Sequence, residues 1–141
     1  ERGWLSILAL DVGDSRIGVA MSEGFLAAPL TTIDRRNEAV DVREVLRLAE
    51  KYGAEEIVVG MPLSLSGQVG PQAERVARFA EALDEQTSLP IVPVDERYST
   101  VEAERLLRQA GVRPSEEKAR VDAAAAAVIL QSYLDSRRAK A

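Results

Sequence analysis

The chain has 141 residues, of which 46% are hydrophobic and 29% charged, and its formal net charge is −5. This length and balance predict a single domain with one apolar core, covering residues 1–141. Because the sequence contains neither Cys nor His, it excludes Cys/His zinc sites, cysteine nucleophiles and Ser-His-Asp triads, and any metal must be held by oxygen ligands.

The beginning of the chain predicts three β-strands. Apolar residues fill both alternating faces from Trp4 to Val12, the pattern of a strand that is covered on both sides. Gly13-Asp14-Ser15 is typical of a turn, so a second strand, Ile17 to Met21, is predicted to form a hairpin with the first. A weaker third strand spans Ala27 to Ile33.

A helix is predicted next, beginning at Asp41. Apolar residues recur at helical spacing, Asp41 and Glu44 have the spacing of a capping box, and Gly53 provides the stop. Ile57 to Gly60 then has the composition of a short buried strand, and an irregular loop runs from Met61 to Gly70.

The second half of the chain predicts three helices and one more strand. Pro71 opens a helix, and Ile91 to Val94 forms a fifth strand that ends in Asp95-Glu96. A capping-box pattern predicts a helix between Ser99 and Gly111, and a final helix is predicted from Asp122. The order β-β-β-α-β-α-β-α-α predicts an α/β fold with right-handed crossovers.

Three acidic positions fall where a solvated carboxylate is not expected. Asp11 lies at the end of a strand buried on both sides, Asp95-Glu96 follow another buried strand, and Asp122 begins the most apolar helix. Strand ends of this kind meet at one edge of an α/β sheet, where ligands gather. Convergent carboxylates without His suit a Mg²⁺- or Mn²⁺-dependent phosphoryl-transfer site, because the metal activates water and neutralises the departing oxyanion.

Other roles fit the same acids. Asp11 could support the turn at Asp14, Asp122 could serve only as a helix N-cap, and Glu96 could form a surface ion pair with Arg97. On spacing alone, these roles and metal binding both stay open.

Four ordered blocks resemble a known family over nearly the whole chain. The blocks are Leu10-Asp11-Val12-Gly13 with Arg16-Ile17-Gly18-Val19-Ala20, Val59-Gly60-Met61-Pro62-Leu63 with Gly67, Asp95-Glu96-Arg97-Tyr98-Ser99-Thr100, and Val121-Asp122-Ala123-Ala124-Ala125-Ala126. Together they resemble the YqgF/RuvX family, described as Holliday junction resolvase-like nucleases and as pre-16S ribosomal RNA nucleases. The resemblance implies a ribonuclease H-like fold, with a five-stranded mixed sheet of order 3-2-1-4-5 and helices on both faces.

The resemblance also implies the site residues. It makes Asp11, Glu96 and Asp122 catalytic residues and ligands of Mg²⁺ or Mn²⁺, and Asp95 is a further candidate ligand.

Four arginines are candidate nucleic-acid contacts. Arg16 and Arg97 stand next to proposed ligands, and Arg35 and Arg36 form a basic pair. The acidic net charge has the wrong sign for a nucleic-acid binder, so binding would depend on a local basic patch of this kind.

The function expected from these residues is a metal-dependent endonuclease acting on structured nucleic acid. A four-way DNA junction, in recombination and repair, and precursor ribosomal RNA, in ribosome biogenesis, are the two substrates that the resemblance offers. Cleavage of a two-fold symmetric junction would call for a weak homodimer. Nucleotide binding remains an alternative, because Asp11-Val12-Gly13 before a hairpin also resembles the phosphate loop of the actin and sugar-kinase superfamily. A non-catalytic nucleic-acid-binding module is a further alternative.

The expected location is the cytoplasm. The longest apolar run, Ala123 to Leu130, falls well below the ~20 residues of a transmembrane helix, and the absence of cysteine fits a reducing compartment. No membrane partner is expected.

Overall fold

A computed structural model describes residues 5–62, 69–96, 105, 106, 108, 109, 111 and 118–140. The strands and helices with described bounds are β1 (Ile7–Val12), β2 (Arg16–Glu23), β3 (Leu26–Asp34), α1 (Glu38–Lys51), β4 (Glu56–Met61), α2 (Pro71–Gln86), β5 (Ile91–Asp95) and α3 (Lys118–Lys140). The helix predicted between Ser99 and Gly111 lies mostly outside the described residues, of which Arg105, Leu106, Arg108 and Gln109 are helical.

The five strands form one mixed sheet of order β3-β2-β1-β4-β5. β1 pairs antiparallel with β2 and parallel with β4, and β4 pairs parallel with β5. The predicted hairpin and the predicted strand order are both confirmed. The carboxyl ends of β1, β4 and β5 therefore lie at the same edge of the sheet, together with the start of β2.

Helices cover both faces of the sheet, as expected. α1 and α2 pack against a core that includes Leu8 and Leu10, whereas α3 packs against a core that includes Ile7 and Ala9. Because side chains alternate along a strand, Asp11 follows Ile7 and Ala9 onto the face that α3 covers. Within the described residues, no helix is both long and apolar enough to cross a membrane.

The predicted start of α1 at Asp41 is wrong. The helix begins at Glu38, and its N-cap is Asn37, whose side chain accepts a hydrogen bond from the Val40 backbone N–H at 3.0 Å. Asp41 lies one turn into the helix and is only 2% exposed, with one oxygen accepting from the Arg36 backbone N–H and the other from Arg35 Nε, both at 3.0 Å. The capping box therefore does not form, because Asn37 caps the helix and Asp41 is used inside the fold.

The start of α3 also differs from the prediction. The helix begins at Lys118, four residues before Asp122, so Asp122 is inside the helix and the N-cap role considered for it is wrong. This longer helix lies very close to β2: a β-carbon at Gly18 would overlap the backbone carbonyl oxygen of Asp122. Gly18 thus permits the contact that brings the amino-terminal part of α3 onto the sheet.

Candidate active site

Asp11 and Glu96 meet across the edge of the sheet. Their side chains share a hydrogen bond, although the residues belong to different regions of the chain. The Glu96 backbone N–H donates to the Met61 carbonyl at 3.1 Å, which extends the pairing of β4 with β5 by one residue. Two carboxyl groups that share a hydrogen bond must hold a proton between them or attract a cation in its place.

Gly60 makes this meeting possible. The pairing of Leu10 with Val59 puts Gly60 beside Asp11, in the strand between Asp11 and Glu96. A β-carbon at Gly60 would lie 3.2 Å from both Cβ and Cδ of Glu96 and 2.5 Å from Cδ1 of Ile129. The Glu96 side chain therefore lies over Gly60 on the α3 face of the sheet, where it reaches Asp11.

The environment of Asp11 disfavours the ionised form of its carboxyl group. Burial raises the pKa of Asp11 from 3.8 to about 6, the hydrogen bond from Glu96 opposes this pKa increase, and the nearby negative charge of Asp122 adds to it. A half-buried carboxyl group next to two other acids is the kind of group whose charge a bound cation would stabilise.

Asp122 is the third acid of the site. Its backbone lies against Gly18, and Gly18 is the direct cross-strand neighbour of Asp11. Its Oδ2 accepts a hydrogen bond from Arg16 Nε at 2.6 Å, in an ion pair whose side chains are 32% exposed for Arg16 and 24% for Asp122. The three predicted acids are thus brought to one part of the sheet edge, with the third held by an arginine.

In the part of the chain that the structure describes, no three acidic side chains surround a common point at which a metal ion could be held. One of the three carboxylates, that of Asp122, is engaged by Arg16. Asp95 is not brought to this group: it is exposed, and strand alternation puts it with Ile91 on the face opposite to Val94 and Glu96.

The two fully buried acids of the described residues have structural partners. Asp41 is paired with Arg35, and Glu56, which is 8% exposed, accepts a hydrogen bond from Tyr133 Oη at 2.5 Å and lies 3.7 Å from Arg137 Nη1. Glu56 belongs to the opposite end of the sheet, at the start of β4. Partners of this kind explain Asp41 and Glu56 as parts of the fold.

The other three arginines predicted to contact nucleic acid are Arg35, Arg36 and Arg97. Arg35 donates from Nη1 to the Gly13 carbonyl at 2.8 Å, and its guanidinium lies 5.0 Å from the centre of the Phe79 ring. With its Asp41 pair, Arg35 thereby ties the β1–β2 turn to α1 and α2. Arg36 is exposed, and Arg97 lies outside the described residues.

Sequence patterns could identify the acids but not how they are held. The Arg16–Asp122 contact joins residues 106 positions apart, and no local periodicity links such positions. Gly60 does leave a signal, since a glycine inside a buried strand indicates a close approach by another part of the protein. The structure assigns that approach to Glu96 and Ile129.

Comparison with known proteins shows the family of this chain. The family model RuvX, described as Holliday junction resolvase, matches residues 5–136. A Chloroflexus aurantiacus protein named "Putative pre-16S rRNA nuclease" is 48% identical over 134 residues, covering 94% of this chain and 88% of the relative. A Chloroflexus aggregans protein of the same name is 45% identical over 135 residues, covering 94% and 95%.

Among solved structures, the chain is similar to Thermus thermophilus RuvC in complex with a Holliday junction substrate. The TM-score is 0.61, and the match covers 96% of each chain at 15% sequence identity, so it establishes a shared RuvC-like fold. The family match spans most of the sequence, and relatives nearly half identical to it cover almost the same range. The chain therefore belongs to the RuvX family of Holliday junction resolvase-like nucleases.

Proposed function

We propose that this protein is a divalent-metal-dependent endonuclease that hydrolyses phosphodiester bonds in structured nucleic acid. The observation that carries the proposal is the hydrogen-bonded pair of Asp11 and Glu96, next to Asp122, at the carboxyl edge of the sheet. Membership of a nuclease family supports the same reaction class.

The donor set fits a hard divalent cation. Asp11 and Glu96 offer carboxylate oxygens from two side chains that meet, and Asp122 adds a third acid close by. Oxygen ligands without His or Cys suit Mg²⁺ or Mn²⁺ rather than zinc or copper. These three residues would hold the ion, which, when bound, supplies Lewis-acid activation of water and neutralises charge on the departing oxygen.

The fold fixes the acids in place before any substrate arrives. Asp11 lies on the central strand of the sheet, hydrogen-bonded through its neighbours to β2 on one side and to β4 on the other. Glu96 is held by its backbone contact to Met61 and by the fit of its side chain over Gly60. Ligands on rigid strands lose little freedom on binding, which favours accurate positioning of the scissile phosphate.

Arg16 is the residue best situated to meet that phosphate. Its guanidinium is partly exposed beside the three acids, and arginine binds phosphate oxygens through two parallel N–H donors. Arg36 offers a further exposed positive charge at the start of α1, near the same edge of the sheet. These two arginines would supply local attraction for a polyanion in a chain of net charge −5.

Two members of the substrate class are suggested by the relatives. The family description names a Holliday junction, and the curated relatives are named for pre-16S rRNA. Both are structured, paired nucleic acids, and an enzyme acting on either would work in the cytoplasm. Paired nicks in a junction would require two copies of the site, and therefore a homodimer at least while bound, whereas trimming of an RNA would not.

A side-by-side cleavage assay tests the proposal. End-labelled four-way DNA junction and structured precursor RNA are each incubated with the protein in Mg²⁺, Mn²⁺ or EDTA. We expect cleavage of at least one substrate with either cation, no cleavage in EDTA, and none by Asp11→Asn. Asp84→Asn, the same change at an exposed position of α2, is the control that should retain activity.

Other outcomes would point to the alternative functions. Tight nucleic-acid binding without cleavage in any cation would favour a non-catalytic binding module and contradict the proposal. Measurable affinity for ATP in the absence of nucleic-acid binding would contradict it in favour of nucleotide binding.

A further inference from the structure

The Arg16–Asp122 ion pair engages a carboxylate that the proposed reaction needs for its metal ion. We propose that Arg16 is a positioning residue, which holds the Asp122 carboxylate out of the metal site and releases it when a nucleic-acid phosphate takes the guanidinium. This inference rests on the proposed function, because it concerns the same site.

The backbones on both sides of the contact are fixed. The Arg16 carbonyl accepts a hydrogen bond from the Gly13 N–H at 2.8 Å, and Arg16 is paired with Asp34 in the sheet. The Asp122 backbone is packed against Gly18, two residues further along the same strand. Only the side chains of Arg16 and Asp122 therefore need to rotate to break the pair, without movement of β2 or α3.

The guanidinium and a metal ion compete for the same oxygens. The Nε–Oδ2 separation of 2.6 Å is that of a short charge-assisted hydrogen bond, and a carboxylate held in this way is a poorer ligand for a cation. The remaining two acids, Asp11 and Glu96, are joined to each other instead. The pair thus accounts for three acids that share one sheet edge without forming a common metal site among the described residues.

Exchange of Asp122 for phosphate is feasible at this position. The two side chains are 32% and 24% exposed, so solvent and a phosphate group can reach the guanidinium. Ion pairs with this degree of exposure are weak, because water screens them. The two non-bridging oxygens of a phosphodiester can accept two guanidinium N–H donors, as a carboxylate does, so arrival of the substrate would release Asp122 to the metal ion.

The first test measures metal affinity without nucleic acid. Mn²⁺ binding is followed by calorimetry for the wild type, Arg16→Gln, Asp122→Asn and the double variant. Arg16→Gln should bind Mn²⁺ about fivefold more tightly, the change that corresponds to the loss of one partly exposed ion pair. In the Asp122→Asn background, Arg16→Gln should have no such effect.

Arg47→Gln is the matched control. Arg47 forms an ion pair of the same kind, with Nη2 at 2.6 Å from Glu44 Oε2, on the exposed side of α1. Its removal should leave the Mn²⁺ affinity unchanged. If Arg16→Gln does not fold, Arg16→Lys, which keeps the charge but loses the planar guanidinium, should show a smaller increase in affinity.

The second test measures cleavage at saturating Mn²⁺. Arg16→Gln should raise KM and lower kcat although it binds the metal more tightly, because the phosphate has lost its guanidinium. Unchanged or weaker Mn²⁺ binding by Arg16→Gln would overturn the inference, and so would a gain in affinity that persists with Asp122→Asn, since that would be general charge repulsion. A wild type that binds Mn²⁺ but cleaves nothing would instead overturn the proposed function. The affinity measurements would still test whether Arg16 holds Asp122 away from the metal ion.

Discussion

Gly18 lies so close to the backbone of Asp122 that a β-carbon at position 18 would overlap the Asp122 carbonyl oxygen. Gly18 is also the direct cross-strand neighbour of Asp11. A residue without a side chain therefore sets how near α3 brings its carboxylate to the central strand.

Gly18→Ala should destabilise the protein more than alanine does at a glycine with open space around it. The added methyl group meets backbone rather than a flexible side chain, so α3 must shift, at a cost of about 2 kcal/mol or more in the free energy of unfolding. Gly70→Ala is the control, because a β-carbon there has no atom within 4 Å, and it should cost less than about 1 kcal/mol as a change of helix N-cap. Denaturant unfolding of both variants checks the prediction, which equal losses would contradict.

Asp11→Asn should make the metal-free protein more stable at neutral pH. Burial raises the pKa of Asp11 from 3.8 to about 6. Proton binding to this carboxyl group therefore contributes stability that is fully present below the unfolded-state pKa of 3.8 and is lost as the pH rises through about 6. Above that pH the charged group costs about 2 kcal/mol, which the neutral amide avoids. In EDTA, the gain in unfolding free energy should be present at neutral pH and vanish near about pH 4. A variant that is less stable than the wild type at both pH values would show that the prediction is wrong.

Glu96→Gln and Asp122→Asn should each lower the cleavage rate by about 100-fold or more, and combining them should add little. Residues that serve one metal site act as a unit, so the loss of one leaves little for the second change to remove. Single-turnover rates in saturating Mn²⁺ measure the effect. Rate losses that multiply in the double variant would mean that the two acids have separate roles.

The neighbouring arginines Arg35 and Arg36 should differ in what they affect. Arg35→Gln removes the contacts to Gly13 and Phe79 and leaves the buried Asp41 without its charge partner, at a cost of about 3 kcal/mol in stability. Arg36→Gln should leave stability within about 0.5 kcal/mol of the wild type. Thermal and denaturant unfolding of the two variants compare them directly.

Nucleic-acid binding should depend strongly on salt and on Arg36. Affinity that comes from a local basic patch falls steeply between about 50 and 200 mM salt, because phosphate neutralisation releases counterions. Arg36→Gln should weaken binding and reduce the slope of log affinity against log salt by about one. Fluorescence anisotropy with labelled RNA and DNA measures both quantities, and affinity that does not change with salt would refute the basic patch.

Much of the architecture is readable from the sequence because strong local patterns agree with the packing. The hairpin at Gly13-Asp14-Ser15 and the start of α2 at Pro71 follow from turn and helix chemistry. The acids Asp11 and Glu96 are conspicuous because a carboxylate at the end of a buried strand needs a reason to be there. The strand order itself follows only from the family resemblance, since periodicity does not indicate which strands are neighbours.

The sequence does not reveal which of several nearby polar side chains caps a helix and which one pairs with an arginine. Asp41 has the spacing of a helix cap, but Asn37 takes that position and leaves Asp41 to bind Arg35. The sequence also allows Asp122 to be a helix cap. In the structure α3 begins one turn earlier, at Lys118, so Asp122 does not lie at the helix end. In each case the arginine that binds the acid lies outside its helix, and no local pattern contains that information.

The three acids of the candidate site are also synthesised at different times. A ribosome releases Asp11 first, Glu96 much later, and Asp122 only near the end of the described chain, and domains fold as units once their parts are available. The growing chain therefore has no complete set of carboxylates until α3 has emerged and docked on β1 and β2.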